Sequence, residues 1–186
     1  MAVQDSEHDN PIADVIHFWQ EAGPNRWFYK DTAFDLRFRE RFLPWHLAAA
    51  RRELDDWSHC PDGALALLIL LDQFPRNAFR GTAHMYATDP LARHFAAAMI
   101  DAGFDRHIEP SLRLFCYLPF EHSECPADQE RSVALHAQLD PSVREYAHEH
   151  HSIVTRFGRF PHRNRLLGRE TTKAEQDFLD EGGFAG

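Results

Sequence analysis

The chain has 186 residues, a formal net charge of −9 and 44% hydrophobic content. That length fits one domain able to bury a substantial core. The acidic balance argues against general nucleic-acid binding, which needs a basic face. The longest unbroken apolar run, Ala64 to Leu71, is far shorter than the roughly 20 residues of a bilayer span, so no membrane segment is expected.

Residues 1–9 are polar and are expected to form a loose tail, leaving 10–186 as a single domain. They carry no signal-peptide pattern. Helix starts then recur with one device. Proline suits the first helical position, where its missing N–H costs nothing, and a preceding polar side chain can cap. Asn10-Pro11, Asp89-Pro90 and Asp140-Pro141 follow this pattern, and Pro61, Pro110 and Pro126 stand at similar places. With little β-type alternation, this predicts an all-α fold of about eight antiparallel helices.

The first helix is expected over 12–22, with Ile12, Val15, Ile16 and Trp19 on one face. Gly23-Pro24-Asn25 breaks it, and Trp27-Phe28-Tyr29 forms an aromatic connector. Asp31 or Thr32 starts a helix bearing Phe34, Phe38 and Phe42, which Pro44 should interrupt or kink. The four tryptophans, all in the first third, suggest an aromatic core there. From Gly63 to Leu71 the sequence is apolar on every side, the mark of a central helix. Asp72, Gln73, Arg76, Asn77 and Arg80 arrive together at its end and need partners.

Asp89-Pro90 opens the next helix and Gly103 ends it. Pro110 is expected to start another, bearing Leu112, Phe115 and Cys116, with Pro119 as its limit. Helices from Pro126 and from Asp140-Pro141 follow, the second stopped by Gly158. Thr172 and Glu175 form a capping-box pattern for a last helix ending at Gly182-Gly183. Cys60, Cys116 and Cys125 are odd in number and match no zinc spacing, so reduced thiols in a cytoplasmic protein are expected.

Three polar blocks carry candidate chemistry. Residues 156–169 hold Arg156, Arg159, Arg163, Arg165 and Arg169 and no acid, interleaved with Phe157, Phe160, Leu166 and Leu167. Such a segment can bind phosphate or carboxylate through bidentate guanidinium contacts, or can pair internally with Asp72, Glu121 and Glu124. Glu121-His122-Ser123-Glu124 could supply an acid–base pair or accept bonds from those arginines. Glu145 and His148 have the spacing of a di-iron motif, but no second Glu-x-x-His accompanies them. A mononuclear site from His122, His148 and His151 is the weaker metal alternative, and His150 reads as a core residue. No metal or cofactor is expected. No Gly-rich phosphate loop or Gly-x-Ser-x-Gly pattern is present.

The blocks Leu71-Asp72-Gln73-Phe74-Pro75-Arg76-Asn77, Pro119-Phe120-Glu121-His122-Ser123-Glu124 and Arg156-Phe157-Gly158-Arg159-Phe160-Pro161-His162-Arg163-Asn164 stand in this order. They resemble the hallmark blocks of the uncharacterised bacterial domain-of-unknown-function family 924. The resemblance runs from about Ile12 to Leu179. It implies a tetratricopeptide-like helical fold and no established activity.

These features predict a helical binding module with an arginine-lined pocket for a small anionic ligand or an acidic peptide. Arg76, Arg80, Arg156, Arg159 and Arg163 would bind the anion. Asn77, Asn164 and His162 would orient it, with Glu121 and Glu124 steadying the arginines and Asp72 and His122 completing the site. An enzyme using Glu121 or Glu124 with His122 or His162 is one alternative. A protein–protein scaffold is another.

Overall fold

Residues 10–185 are described by the computed structural model, so the tail expected over 1–9 lies outside them. Among the described residues there is no strand, and the fold is all-α. The helices are α1 Pro11–Ala22, α2 Pro24–Trp27, α3 Thr32–Ala50, α4 Pro61–Leu68, α5 Phe74–Ala78, α6 Asp89–Asp101, α7 Leu114–Glu121, α8 Pro126–His136, α9 Pro141–Phe157 and α10 Lys173–Asp180.

The capping side chains act where the sequence places them. Asn10 accepts from the Ala13 N–H, Asp31 from Ala33 and Phe34, and Asp140 from Ser142. Both halves of the Thr172–Glu175 capping box form. Such caps contribute about 1 kcal/mol each. Asp89 differs: it is already helical, Thr88 takes the cap position, and the Asp89 carboxylate is left to bind Arg76.

The prolines are less disruptive than expected. Pro44 lies inside α3 and Pro119 inside α7, and both helices run on past them. An interior proline costs about 3 kcal/mol. Along α3 the buried row Phe34, Phe38, Phe42 and His46 spans the break, and each buried aromatic returns about 1.5–3 kcal/mol. Pro110 does not start α7; residues 110–113 form a turn.

At the centre, α4 continues through a wider π turn, Ile69–Gln73, directly into α5. Every residue from Ala64 to Leu71 is at most 1% exposed. Helices α1, α3, α6 and α7 pack around this rod. Phe18 stacks on Phe34 and Phe38, and Trp19 meets Phe38 and Phe115. Trp19 and Trp27 belong to this core, while Trp45 and Trp57 pack on each other at its partly exposed edge. A second, smaller cluster joins Ile153, Val154 and Phe160 to Phe157, Phe178 and Phe184. It pins the arginine segment and α10 against α9.

Candidate functional site: a two-part cleft

The central rod ends where its sequence turns polar, and three distant segments meet there. The π turn and α5 supply Gln73, Arg76 and Asn77. The end of α7 brings His122. A single tight turn at Pro161–Arg163, pinned by buried Phe160, presents His162 and Arg163. Together with Arg80 and Tyr86 they line a cavity of about 170 Å³.

Beneath it lies Asp72, only 1% exposed. It accepts from His122 Nδ1 at 2.8 Å and from Gln73 Nε2 at 2.7 Å, with Arg76 Nη1 at 3.3 Å. Burial alone would raise its pKa, but Arg76 and His122 outweigh burial and hold it below the usual carboxylate range. The His122 pKa is lowered as well, by burial and then by Arg76, despite Asp72. The neutral ring therefore donates from Nδ1 to Asp72, and Nε2 is the nitrogen left for the cleft.

The arginines differ in how far they are satisfied. Arg76 donates to both Asp89 oxygens, at 2.9 and 3.0 Å, and to the Asp72 carbonyl at 2.7 Å. Arg80 pairs with Asp35, which also accepts from Asn77. Arg163 is sandwiched instead: its guanidinium carbon lies 4.5 Å from the Tyr86 ring and 4.5 Å from the Phe160 ring. Its nearest carboxylate oxygen, on Asp89, is 3.6 Å away. Its Nε is buried with no hydrogen-bond partner among the described residues, and so is His162 Nδ1. Burial and then Arg76 lower the Arg163 pKa to about 10. Burial and then Arg163 lower that of His162 to about 3.

A second compartment of about 340 Å³ adjoins the first. Phe28, Leu114, Leu118, Val143, Tyr146 and Phe184 form its apolar wall. Phe28, Leu118, His122, His150 and Phe184 face both spaces. Glu121 stands at the inner side, its carboxyl 3.2 Å from His136 Nε2 and 3.7 Å from His150 Nδ1. Burial, with Asp72 adding to it, raises the Glu121 pKa to about 8. His136 Nδ1 is 2.8 Å from the Ser132 carbonyl, so Nδ1 carries the proton; its Nε2 and Glu121 Oε2 are close but make no hydrogen bond.

Of the residues expected from sequence, Arg76, Asn77, Arg80, His122, His162 and Arg163 meet in the cleft, with Asp72 beneath and Glu121 beside it. Four others are engaged elsewhere. Arg159 donates to Glu175 at 2.6 and 2.8 Å and to the Glu170 carbonyl. Arg156 lies over the Phe157 and Phe178 rings. Glu124 receives Arg169 at 2.8 and 2.9 Å and the Phe160 N–H. Asn164 is fully buried, its amide 3.4 Å from Thr171 Oγ1. The expectation that Glu121 steadies arginines is replaced by its contact with His136 and His150. Gly158 ends α9 in the left-handed conformation and redirects the chain, and Arg156, like Arg159, lies against α10. Arg163 turns to the cleft and Arg159 to α10.

Asp35, Tyr86, Asp89 and the apolar wall were missed. Asp89 read as a cap, and Tyr86 sits in a stretch with no periodic signal. His150, read as core, is 5% exposed and lies at the boundary of the two compartments. Among the described residues, no group of three or more His, Cys, Asp or Glu is arranged to hold a metal ion.

A family model described as "Bacterial protein of unknown function (DUF924)" matches residues 15–183. The chain belongs to this family. It is also similar to a solved structure, the "Protein of Unknown Function ATU0120 from Agrobacterium tumefaciens". The two are 56% identical with a TM-score of 0.90, over 92% of this chain and 97% of that one. No functionally curated protein matches. The DUF924 span encloses every cleft residue named above except Phe184.

Proposed function

We propose that this DUF924 protein binds a small anionic ligand in the cleft, with Arg163 as its principal contact. One observation carries this reading. Arg76 and Arg80 already hold carboxylates in bidentate geometry, but Arg163 is buried between two rings with an unpartnered Nε. A buried guanidinium is costly without charge-assisted hydrogen bonds, and a carboxylate or phosphate oxygen supplies them. His162 Nδ1 and His122 stand beside that position and can orient the anion. The terminal carboxylate of an acidic peptide has the same chemistry.

Titration calorimetry with inorganic phosphate, acetate and a short acidic peptide tests it. The expected result is saturable binding of at least one of them, weakened in Arg163→Lys, which keeps charge but loses the fork, and abolished in Arg163→Met. A folded parent protein that binds none of the three overturns the reading.

The Asp72–His122 pair favours a second reading, an enzyme using the same cleft. A buried carboxylate that fixes the histidine tautomer is how a general base is oriented. In this reading His122 Nε2 takes the proton, and neither Glu121 nor Glu124 acts as base. Its test is His122→Gln, expected to lower turnover of any substrate found by far more than it weakens anion binding.

A further inference from the structure

We infer that the ligand is amphipathic, with its anionic head at Arg163 and an apolar chain in the neighbouring compartment between α7 and α9. This rests on the anion-binding reading above and deepens it. The two compartments adjoin, with Leu118, His122, His150, Phe28 and Phe184 as their common border. The guanidinium groups lie on one side only. Arg76, Arg80, Arg163 and Asn77 border the first, and none of these borders the second.

The second space is of a size that takes organic ligands. Its 340 Å³ falls within the range of about 300–1,000 Å³ typical of small-molecule sites. Glu121, His122 and His150 border it, and each is shifted towards its neutral form. Glu121 keeps its proton because burial and Asp72 raise its pKa to about 8. His150 lacks one because burial lowers its pKa to about 3, and burial also lowers that of His122. An uncharged, half-enclosed chamber beside a buried cation suits a chain that carries its charge at one end only. A small dianion such as inorganic phosphate would leave this wall in contact with water. Phe184, on the segment after α10, stands at the junction with its ring 4.5 Å from that of His150 and 5.2 Å from that of His162.

The test is a homologous series measured by calorimetry on the full chain: straight-chain carboxylates from acetate to decanoate, the matching alkyl phosphates, and the matching alcohols. Carboxylate affinity is expected to rise about threefold to fourfold per methylene and then level off as the chamber fills, the gain set by roughly 0.8 kcal/mol per buried CH₂. The phosphates show which head group fits. The alcohols are expected to bind far more weakly. Val143→Asn, a half-buried wall position, is expected to flatten the chain-length dependence and leave the binding of the shortest anions unchanged. Anion binding with no chain-length dependence overturns the amphipathic ligand and leaves the anion site standing. Alcohols that bind as well as acids overturn the anchored head. No binding by any anion, short or long, overturns the anion site itself.

Discussion

His122 Nδ1 donates to Asp72 Oδ1 at 2.8 Å, joining the end of α7 to the π turn that closes the central rod. The same carboxyl sits 3.3 Å from Arg76, so one buried acid holds a histidine and an arginine at the cleft floor. Asp72→Ala is expected to destabilise the fold by about 3–5 kcal/mol, because it strips a buried arginine of a counter-charge. Asp72→Asn should cost less, since the amide keeps one acceptor. Urea denaturation of both variants ranks them, and equal losses would show that the retained acceptor contributes nothing and the charge carries the effect.

Glu121 makes stability fall as pH rises. Its folded pKa, about 8, is above the ordinary 4.5. Between those values the unfolded chain releases a proton that the folded chain keeps, so unfolding is favoured increasingly with pH. The stabilisation is complete below the ordinary value and gone above the raised one. One proton contributes a slope of at most about 1.4 kcal/mol per pH unit. Glu121→Gln should flatten this slope and raise the melting temperature most at the alkaline end. A variant with the parent's pH profile would place the titrating group elsewhere.

Glu175 acts in the opposite direction. Its hydrogen bonds to Arg159 and then to the Thr172 cap lower its pKa to about 2 against the resisting effect of burial. Its contribution is present above the ordinary 4.5 and is lost as pH falls towards 2. Arg159→Ala should therefore lower the melting temperature by a few degrees at neutral pH and weaken the acid-side slope. It should leave anion affinity unchanged, unlike Arg163→Met. A loss of anion binding in Arg159→Ala with stability intact would move the site to the other face of the segment.

Gly63 is a packing requirement of α4. A Cβ there would lie 2.2 Å from the Trp57 carbonyl oxygen and 2.9 Å from its carbon. Both are backbone atoms and yield little, so Gly63→Ala is expected to cost roughly 3 kcal/mol. Thermal unfolding measures it.

The cysteines should separate by burial. Cys60 and Cys125 are exposed, whereas Cys116 is fully buried and burial, with Asp105 adding to it, pushes its thiol up to about 12. Maleimide should label two thiols in the native protein and the third only on unfolding. Rapid native labelling of Cys116 would mean that α7 opens readily.

Much of the architecture was legible in the residues themselves. Caps, prolines at helix starts and glycines at helix ends act over a few residues, so Asn10, Asp31, Asp140, Thr172 and Gly158 mark boundaries correctly. The all-apolar stretch from Ala64 to Leu71 could only be central, because no face of it tolerates water. Pro44 and Pro119 misled, since the cost of an interior proline is local while the burial that offsets it comes from other helices.

The site divides in the same way. Composition already singled out Arg76, Arg80, His122, His162 and Arg163 as polar groups in need of partners. Which partner each one takes is a matter of three dimensions. Asp89 meets Arg76 across 13 residues, Asp72 meets His122 across 50, and Arg159 is drawn to Glu175 and away from the cleft. No local rule sets those pairings, because they depend on where α6, α7 and α10 dock against the central rod. The sequence by itself determined an all-helical chain with clustered cations whose partners stayed open. Only the tertiary packing decided that Arg163 borders the cleft beside Arg76 and Arg80 with its Nε unpartnered, and with an apolar chamber adjoining.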